Sequence, residues 1–194
     1  ATMILVMWTW LRGSAHVLAQ ARRGAVTIEQ LAGMLDKSSR LVSVPGTAVF
    51  LTSDPDMAPA ALTHNLKHNQ VLHENVVLLT VAVAETPRVE VGERLEMHEV
   101  GVGFFRVILH YGFTEEIDIP RDMAPVGQRG ISLDPMRTSY FLGRQKLIAA
   151  REVAGMALWR EHLFAWLLKV SESAMDYYRL PANRVVELGS QLRI

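Results

Sequence analysis

The chain has no cysteine. Disulfide frameworks, thiol nucleophiles and thiolate metal sites are therefore excluded, and a reducing compartment is compatible with the composition. It also has no net charge, with 20 Lys+Arg against 20 Asp+Glu and a pI near 7.3. That balance excludes a generally basic nucleic-acid binder and an acidic disordered tail. No phosphate-cradling Walker loop, no G-x-S-x-G nucleophile turn and no H-E-x-x-H metal helix occurs, so no enzyme signature is present. Gly101-Val102-Gly103 lacks the third glycine of a dinucleotide fingerprint and precedes an expected strand, which makes it a bend. What the chain does have is apolar material, 49% of 194 residues with a mean hydropathy of +0.15. That is ample for a core, and the length suits one domain with an appended segment.

The zero total conceals a charge pattern. Residues 12–40 carry five Lys/Arg and two Asp/Glu, residues 41–136 six and thirteen, and residues 137–194 nine and five. Residues 1–11 carry none, and nine of the eleven are apolar. A signal peptide requires a basic region before its apolar run, whereas here Arg12 follows it. A membrane span needs about 20 apolar residues, so this run can supply only half of one. Trp8 and Trp10 near its end, followed by Arg12, Arg22 and Arg23, match an interfacial belt and a cytoplasmic exit. The competing expectation is an amphipathic helix packed on a soluble core.

Ser14 to Lys37 reads as helix, with Thr27-Ile28-Glu29-Gln30 at capping-box spacing and Ile28, Leu31, Met34 and Leu35 on one face. Val44-Pro45-Gly46 predicts a turn before a strand over Thr47–Thr52. Pro59 stands where a helix over Ala60–Gln70 would begin, and Asn75–Val83 is an apolar run suited to a central strand. Arg94–Val100 and Gly103–Tyr111 alternate as an antiparallel pair, with Phe105, Val107 and Leu109 opposite Phe104, Arg106, Ile108 and His110. Pro120–Pro135 reads as a loop with one helical turn, Thr138–Leu142 as a strand, Val153–Tyr178 as a long helix and Arg184–Leu188 as a last strand. The fold class expected is α/β or α+β: a mixed sheet of five or six strands covered by helices, behind an N-terminal helix remnant. The organisation expected is a membrane-helix end at 1–11, a helical connector at 12–43 and a cytoplasmic domain at 44–194.

Candidate chemistry gathers around His64, His68, His73 and Glu74. His64 and His68 share a helix face at four-residue spacing, and His73 or Glu74 can complete a transition-metal site. The competing expectation is that this polar segment caps a helix and ties the next loop. Asp54-Pro55-Asp56 supplies too few carboxylates for calcium and reads as a turn. Glu115, Glu116 and Asp118 read as a solvated acidic loop. Trp159, Trp166, Tyr177 and Tyr178 lack the basic stripe of a base-stacking platform and are expected in a core or interface, so no nucleic acid is expected as a partner.

Five segments in order carry a resemblance: Val44 to Thr52, His64 through Glu74, Tyr111-Gly112-Phe113-Thr114-Glu115, Tyr140-Phe141-Leu142-Gly143-Arg144 and Pro181 to Gly189. Together, behind Met7-Trp8-Thr9-Trp10-Leu11-Arg12-Gly13, they resemble the C-terminal region of the KUP/HAK/KT potassium uptake transporters along nearly the whole chain. The resemblance implies the cytoplasmic tail of a bacterial inner-membrane carrier that brings in K⁺ with H⁺. It further implies that the ion path lies in membrane helices outside this chain. No catalytic residue, metal ligand or cofactor is then expected here, and no cofactor-binding residue can be assigned. The partners it implies are the transmembrane part of the same transporter, a second copy in a homodimer, and a regulatory nucleotide of the cyclic dinucleotide class. The alternatives are a soluble nucleotide-binding module and a metal-dependent enzyme using His64, His68 and His73.

Overall fold

The computed structural model describes residues 2–22, 26–36, 41–148 and 174–193. The expected helix over Val153–Tyr178 falls outside these except for its last turn at Ala174–Tyr177. The chain divides into two compact units, one of residues 26–143 and 174–188 and the other of residues 1–25, 144–173 and 189–194.

The larger unit is built on strands β1 (Val42–Leu51), β2 (Val71–Ala84), β3 (Leu95–Gly101) and β4 (Phe104–Gly112), with β5 (Thr138–Ile148) and β6 (Val185–Arg193) entering it. The six strands form one sheet in the order β3-β4-β2-β1-β5-β6. Four neighbours run parallel, β4 with β2, β2 with β1 and β1 with β5, while β3 lies antiparallel on β4. This is a mixed α/β sheet, and β2, one of its two middle strands, contains the apolar run Asn75–Val83 expected as a central strand.

Side-chain alternation distributes the core over two faces. On one face Val49, Val77, Leu79, Val107, Leu109, Tyr111, Tyr140 and Leu142 pack under Ile119, Met123 and Val126. Ile119 comes from α4 (Ile119–Asp122), Val126 from the 3₁₀ turn that follows at Ala124–Arg129, and Met123 is the residue that joins them. Leu180, just beyond the short α5 (Ala174–Tyr177), closes the same face. On the other face Ala48, Phe50, Val76, Leu78, Phe104 and Phe141 meet Ile28 and Leu31 of α2 (Ile28–Asp36) and Ala61 and Leu62 of α3 (Ala60–Asn69). Phe50 and Phe141, on adjacent strands, stack at 4.5 Å between ring centroids and 17° between planes, an arrangement that adds to area burial.

Local rules explain most boundaries. Thr27 and Gln30 form the capping box of α2: Gln30 N–H donates to Thr27 Oγ1 at 3.3 Å and Thr27 N–H donates to Gln30 Oε1 at 3.4 Å. Pro59 occupies the N-cap of α3, and Gln70 ends that helix in the left-handed region at φ 55°. The turn expected at Val44-Pro45-Gly46 is instead a bulge inside β1. Pairing with β2 runs from Val42 to Val44, slips, and resumes at Thr47. Pro45 has no N–H for the ladder. Gly46, at φ +108°, brings its backbone so near Arg137 that a Cβ would lie 2.5 Å from that carbonyl oxygen.

In the smaller unit, α1 (Thr2–Arg22) continues without a break through Arg12. Met3, Ile4, Met7 and Leu11 are exposed on it, Thr9 is buried, and the Arg12 guanidinium lies 5.3 Å from the Trp8 ring centroid. Among the described residues no helix is long and apolar enough to cross a membrane.

Candidate functional site

The parallel strands β4-β2-β1-β5 reverse their direction of winding between β1 and β5. In open α/β sheets such a reversal opens a crevice at the carboxyl ends of the strands, where ligands bind. Here the connection after β1 does not suit a phosphate. Residues 52–59 contain no glycine and two carboxylates, Asp54 and Asp56. Thr52 Oγ1 donates to the Asp54 carbonyl at 3.0 Å and Asp56 N–H donates to Asp54 Oδ1 at 3.2 Å, so the expected turn is self-bonded. The chain before α2 then closes over it. Thr27 bridges Met57, Ile28 N–H donates to the Asp56 carbonyl at 3.2 Å and Ala58 N–H donates to the Val26 carbonyl at 3.0 Å. Arg106 of β4 fastens the same strap, reaching Glu29 at 2.9 Å and Asp56 at 3.4 Å. Glu29 is held below the usual carboxylate range by its backbone hydrogen bond and by the Arg106 charge.

The histidines do not converge. His64 and His68 sit on α3 with ring centroids 5.7 Å apart, whereas His73 lies on β2 with its ring edge-on to Phe141 at 6.0 Å. Among the described residues no group of three His, Asp or Glu side chains could hold a metal ion. The polar residues between the histidines act on the backbone. Buried Asn65 donates to the Val71 carbonyl at 3.0 Å and accepts from Asn69 Nδ2 at 2.8 Å, carrying the chain from α3 into β2. His73 Nδ1 is buried without a hydrogen-bond partner, and burial lowers the imidazole pKa.

The acidic segment at 115–118 departs most from its sequence reading. Glu115 is not solvated but sits in a clamp. Its Oε2 accepts Gly112 N–H at 2.7 Å and Val89 N–H at 3.1 Å, and its Oε1 pairs with the Arg94 guanidinium. The backbone donor Gly112, then Val89, then Arg94 hold its carboxyl below the usual range. Arg94 also donates to the Val89 carbonyl at 3.4 Å, approaches Asp122 Oδ2 at 3.5 Å and lies over the Tyr111 ring at 5.3 Å. Asp122 takes Tyr111 Oη at 2.8 Å and two bonds from Arg121 at 2.8 and 3.0 Å. Burial opposes ionisation of Asp122, but Arg121, Tyr111 and Arg94 outweigh it and its pKa is lowered. Tyr111 is displaced in the opposite direction, by burial and by the neighbouring carboxylate. Asp118 caps α4 through Arg121 N–H at 3.1 Å, and Glu116 pairs with Arg179 at 2.6 Å. The charged groups of this network bond to one another and to backbone N–H groups, so that they fasten the loops around residues 85–94 and 112–122.

The comparisons with known proteins fall on the same stretch of chain. The family model described as the K⁺ potassium transporter C-terminal domain matches residues 45–194. The chain belongs to that family. A "Probable potassium transport system protein Kup 1" of Novosphingobium aromaticivorans is 46% identical over 189 residues, covering 97% of this chain and 29% of that protein. A "Probable potassium transport system protein Kup" of Caulobacter vibrioides is 43% identical over 194 residues, and a "Kup 2" of a Bradyrhizobium species is 44% identical over the same length. Both alignments cover the whole chain, with 29% and 30% of the relatives. The chain thus spans less than a third of the curated relatives it matches. No solved structure matches it. As a member of the potassium transporter C-terminal domain family, it is a transporter domain and its family is not an enzyme family.

Proposed function

We infer that this chain is a cytoplasmic domain of a bacterial inner-membrane K⁺ carrier, with a structural or regulatory role, and that K⁺/H⁺ symport belongs to the full-length protein. One observation carries the reading. Arg94, Glu115 and Asp122 fasten the domain's own loops, while the relatives named as potassium transport proteins extend far beyond it. The exposed apolar residues of α1, with Trp8 under Arg12, support residues 1–11 as the end of a membrane helix, followed by a connector to residue 43 and the domain proper from residue 44. Deleting residues 44–194 from the full-length carrier tests the reading. K⁺ uptake per inserted carrier falls on this account, and unchanged uptake contradicts it.

Two finer expectations belong to the same reading. A regulatory nucleotide is favoured by the parallel strand order with its reversal beside β1. The acidic, self-bonded connection after β1 argues against the usual phosphate position, so such a ligand would need another face. Isothermal titration with cyclic dinucleotides gives binding heat if the expectation is right. A homodimer predicts a sedimentation coefficient that rises with concentration.

A further inference from the structure

The connection between β2 and β3, residues 85–94, is exposed along most of its length yet tightly held. Phe113 N–H donates to the Thr86 carbonyl at 3.0 Å, and Thr114 donates to the Pro87 carbonyl from its N–H at 3.2 Å and its hydroxyl at 2.6 Å. Glu115 holds Val89 N–H and Arg94, and Glu93 N–H closes the 3₁₀ turn on the Glu90 carbonyl at 3.0 Å. Gly112 passes so close beneath that a Cβ there would lie 2.2 Å from the Pro87 carbonyl oxygen. Ordering an exposed loop to this degree costs conformational entropy. The same order lowers the cost of binding, because the surface is already in its bound shape.

The clamped loop presents two apolar side chains to solvent, Val91 at 88% exposure on the 3₁₀ turn and Phe113 at 61% on the bonded neighbouring loop. The same connection carries Glu85, Glu90 and Glu93, all exposed, with Arg88 as the one cation of residues 85–93. None of the three carboxylates forms an ion pair among the described residues, whereas Glu115, Glu116 and Asp122 nearby are all neutralised by arginines. The result is a tightly held, net-acidic surface that carries two exposed apolar side chains. Such a surface selects a basic segment that carries an apolar side chain.

We propose that this surface docks a Lys/Arg-bearing cytoplasmic connection of the carrier's own membrane portion. The inference rests on the reading of the chain as the carrier's cytoplasmic domain. About 70% of the relatives' length lies outside the aligned region, and the cytoplasmic connections of membrane helices carry an excess of Lys and Arg. Charge attraction over a few ångströms, with Val91 and Phe113 as anchors, matches that chemistry better than it matches a second copy of the same acidic loop, which would repel it.

The test is photocrosslinking in the full-length carrier, with p-benzoylphenylalanine replacing Val91 in one version and Phe113 in another. Val102, 93% exposed in the β3–β4 turn, is the control position. The proposal predicts intramolecular adducts from Val91 and Phe113 that map to a Lys/Arg-bearing connection, and none there from Val102. It predicts a several-fold loss of adduct when Glu85→Lys, Glu90→Lys and Glu93→Lys are combined. Adducts only with a second copy or with lipid, equal adducts from Val102, or a yield indifferent to the charge reversal would each overturn it. If uptake falls on deletion of residues 44–194 but Val91 and Phe113 give no such adduct, the docking surface is refuted and the domain reading stands.

Discussion

Arg94 and Glu115, 21 residues apart in sequence, form an ion pair that joins the connection after β2 to the end of β4. The Glu115 oxygen not paired with Arg94 accepts the backbone N–H groups of Val89 and Gly112, so one carboxylate organises two loops. Replacing it by glutamine removes the charge, and an amide cannot accept all three donors with the same strength. Glu115→Gln is expected to accelerate amide hydrogen exchange at Val89 and Gly112 by an order of magnitude or more and to lower Tm by several degrees. Exchange at Leu79 in the central strand should be unchanged apart from the loss of global stability.

Gly112→Ala tests the same junction sterically. The added methyl meets backbone atoms of Pro87 and Arg88 at 2.2 to 2.4 Å, and backbone gives way less readily than a flexible side chain. A loss of about 1–3 kcal/mol in urea-unfolding stability is expected, with loop 85–94 becoming sensitive to proteases.

Core truncation sets the scale for these effects. Leu109 is fully buried among Val107, Tyr111 and the α4 residues, so Leu109→Ala should cost about 2–5 kcal/mol by denaturant unfolding. Val102→Ala, at the exposed turn, should stay within about 0.5 kcal/mol.

Acid should destabilise the domain in two steps. Burial lowers the His73 pKa in the fold, so between that value and about 6.5 the unfolded chain binds the additional proton. Stability from this group is complete above about 6.5 and is lost as the pH falls through the folded value. Asp122 is likewise lowered, so its contribution is complete above the ordinary carboxylate range near 4 and is lost below it. Thermal melting across pH 3 to 8 should show both declines, and His73→Phe should remove the one nearer neutrality.

Much of this architecture was legible because its causes are local. The apolar run Asn75–Val83, the alternation in Gly103–Tyr111, the capping box at Thr27 and Pro59 before α3 each act within a few residues and lie in the elements the pattern named, although the strand around Asn75–Val83 begins earlier, at Val71. Asn65 bonds a carbonyl six residues away, and the polar segment around the histidines was readable as a cap for the same reason. Val44-Pro45-Gly46 misled because proline and glycine mark bulges as well as turns, and only the neighbouring strands decide which. Glu115 was illegible as a clamp because its partners Val89 and Arg94 are brought to it by strand pairing, and nothing local distinguishes it from a solvated acid beside Glu116. The strap of residues 26–28 across Asp56–Ala58 was hidden for the same reason.

The measurement that bears most directly on the account is K⁺ uptake by the carrier divided into two polypeptides, the membrane portion and this chain, at matched membrane abundance. The account predicts slow uptake by the membrane portion alone and recovery when this chain is co-expressed, with weaker recovery for the Glu115→Gln version. Uptake by the membrane portion alone at the rate of the intact carrier would contradict it.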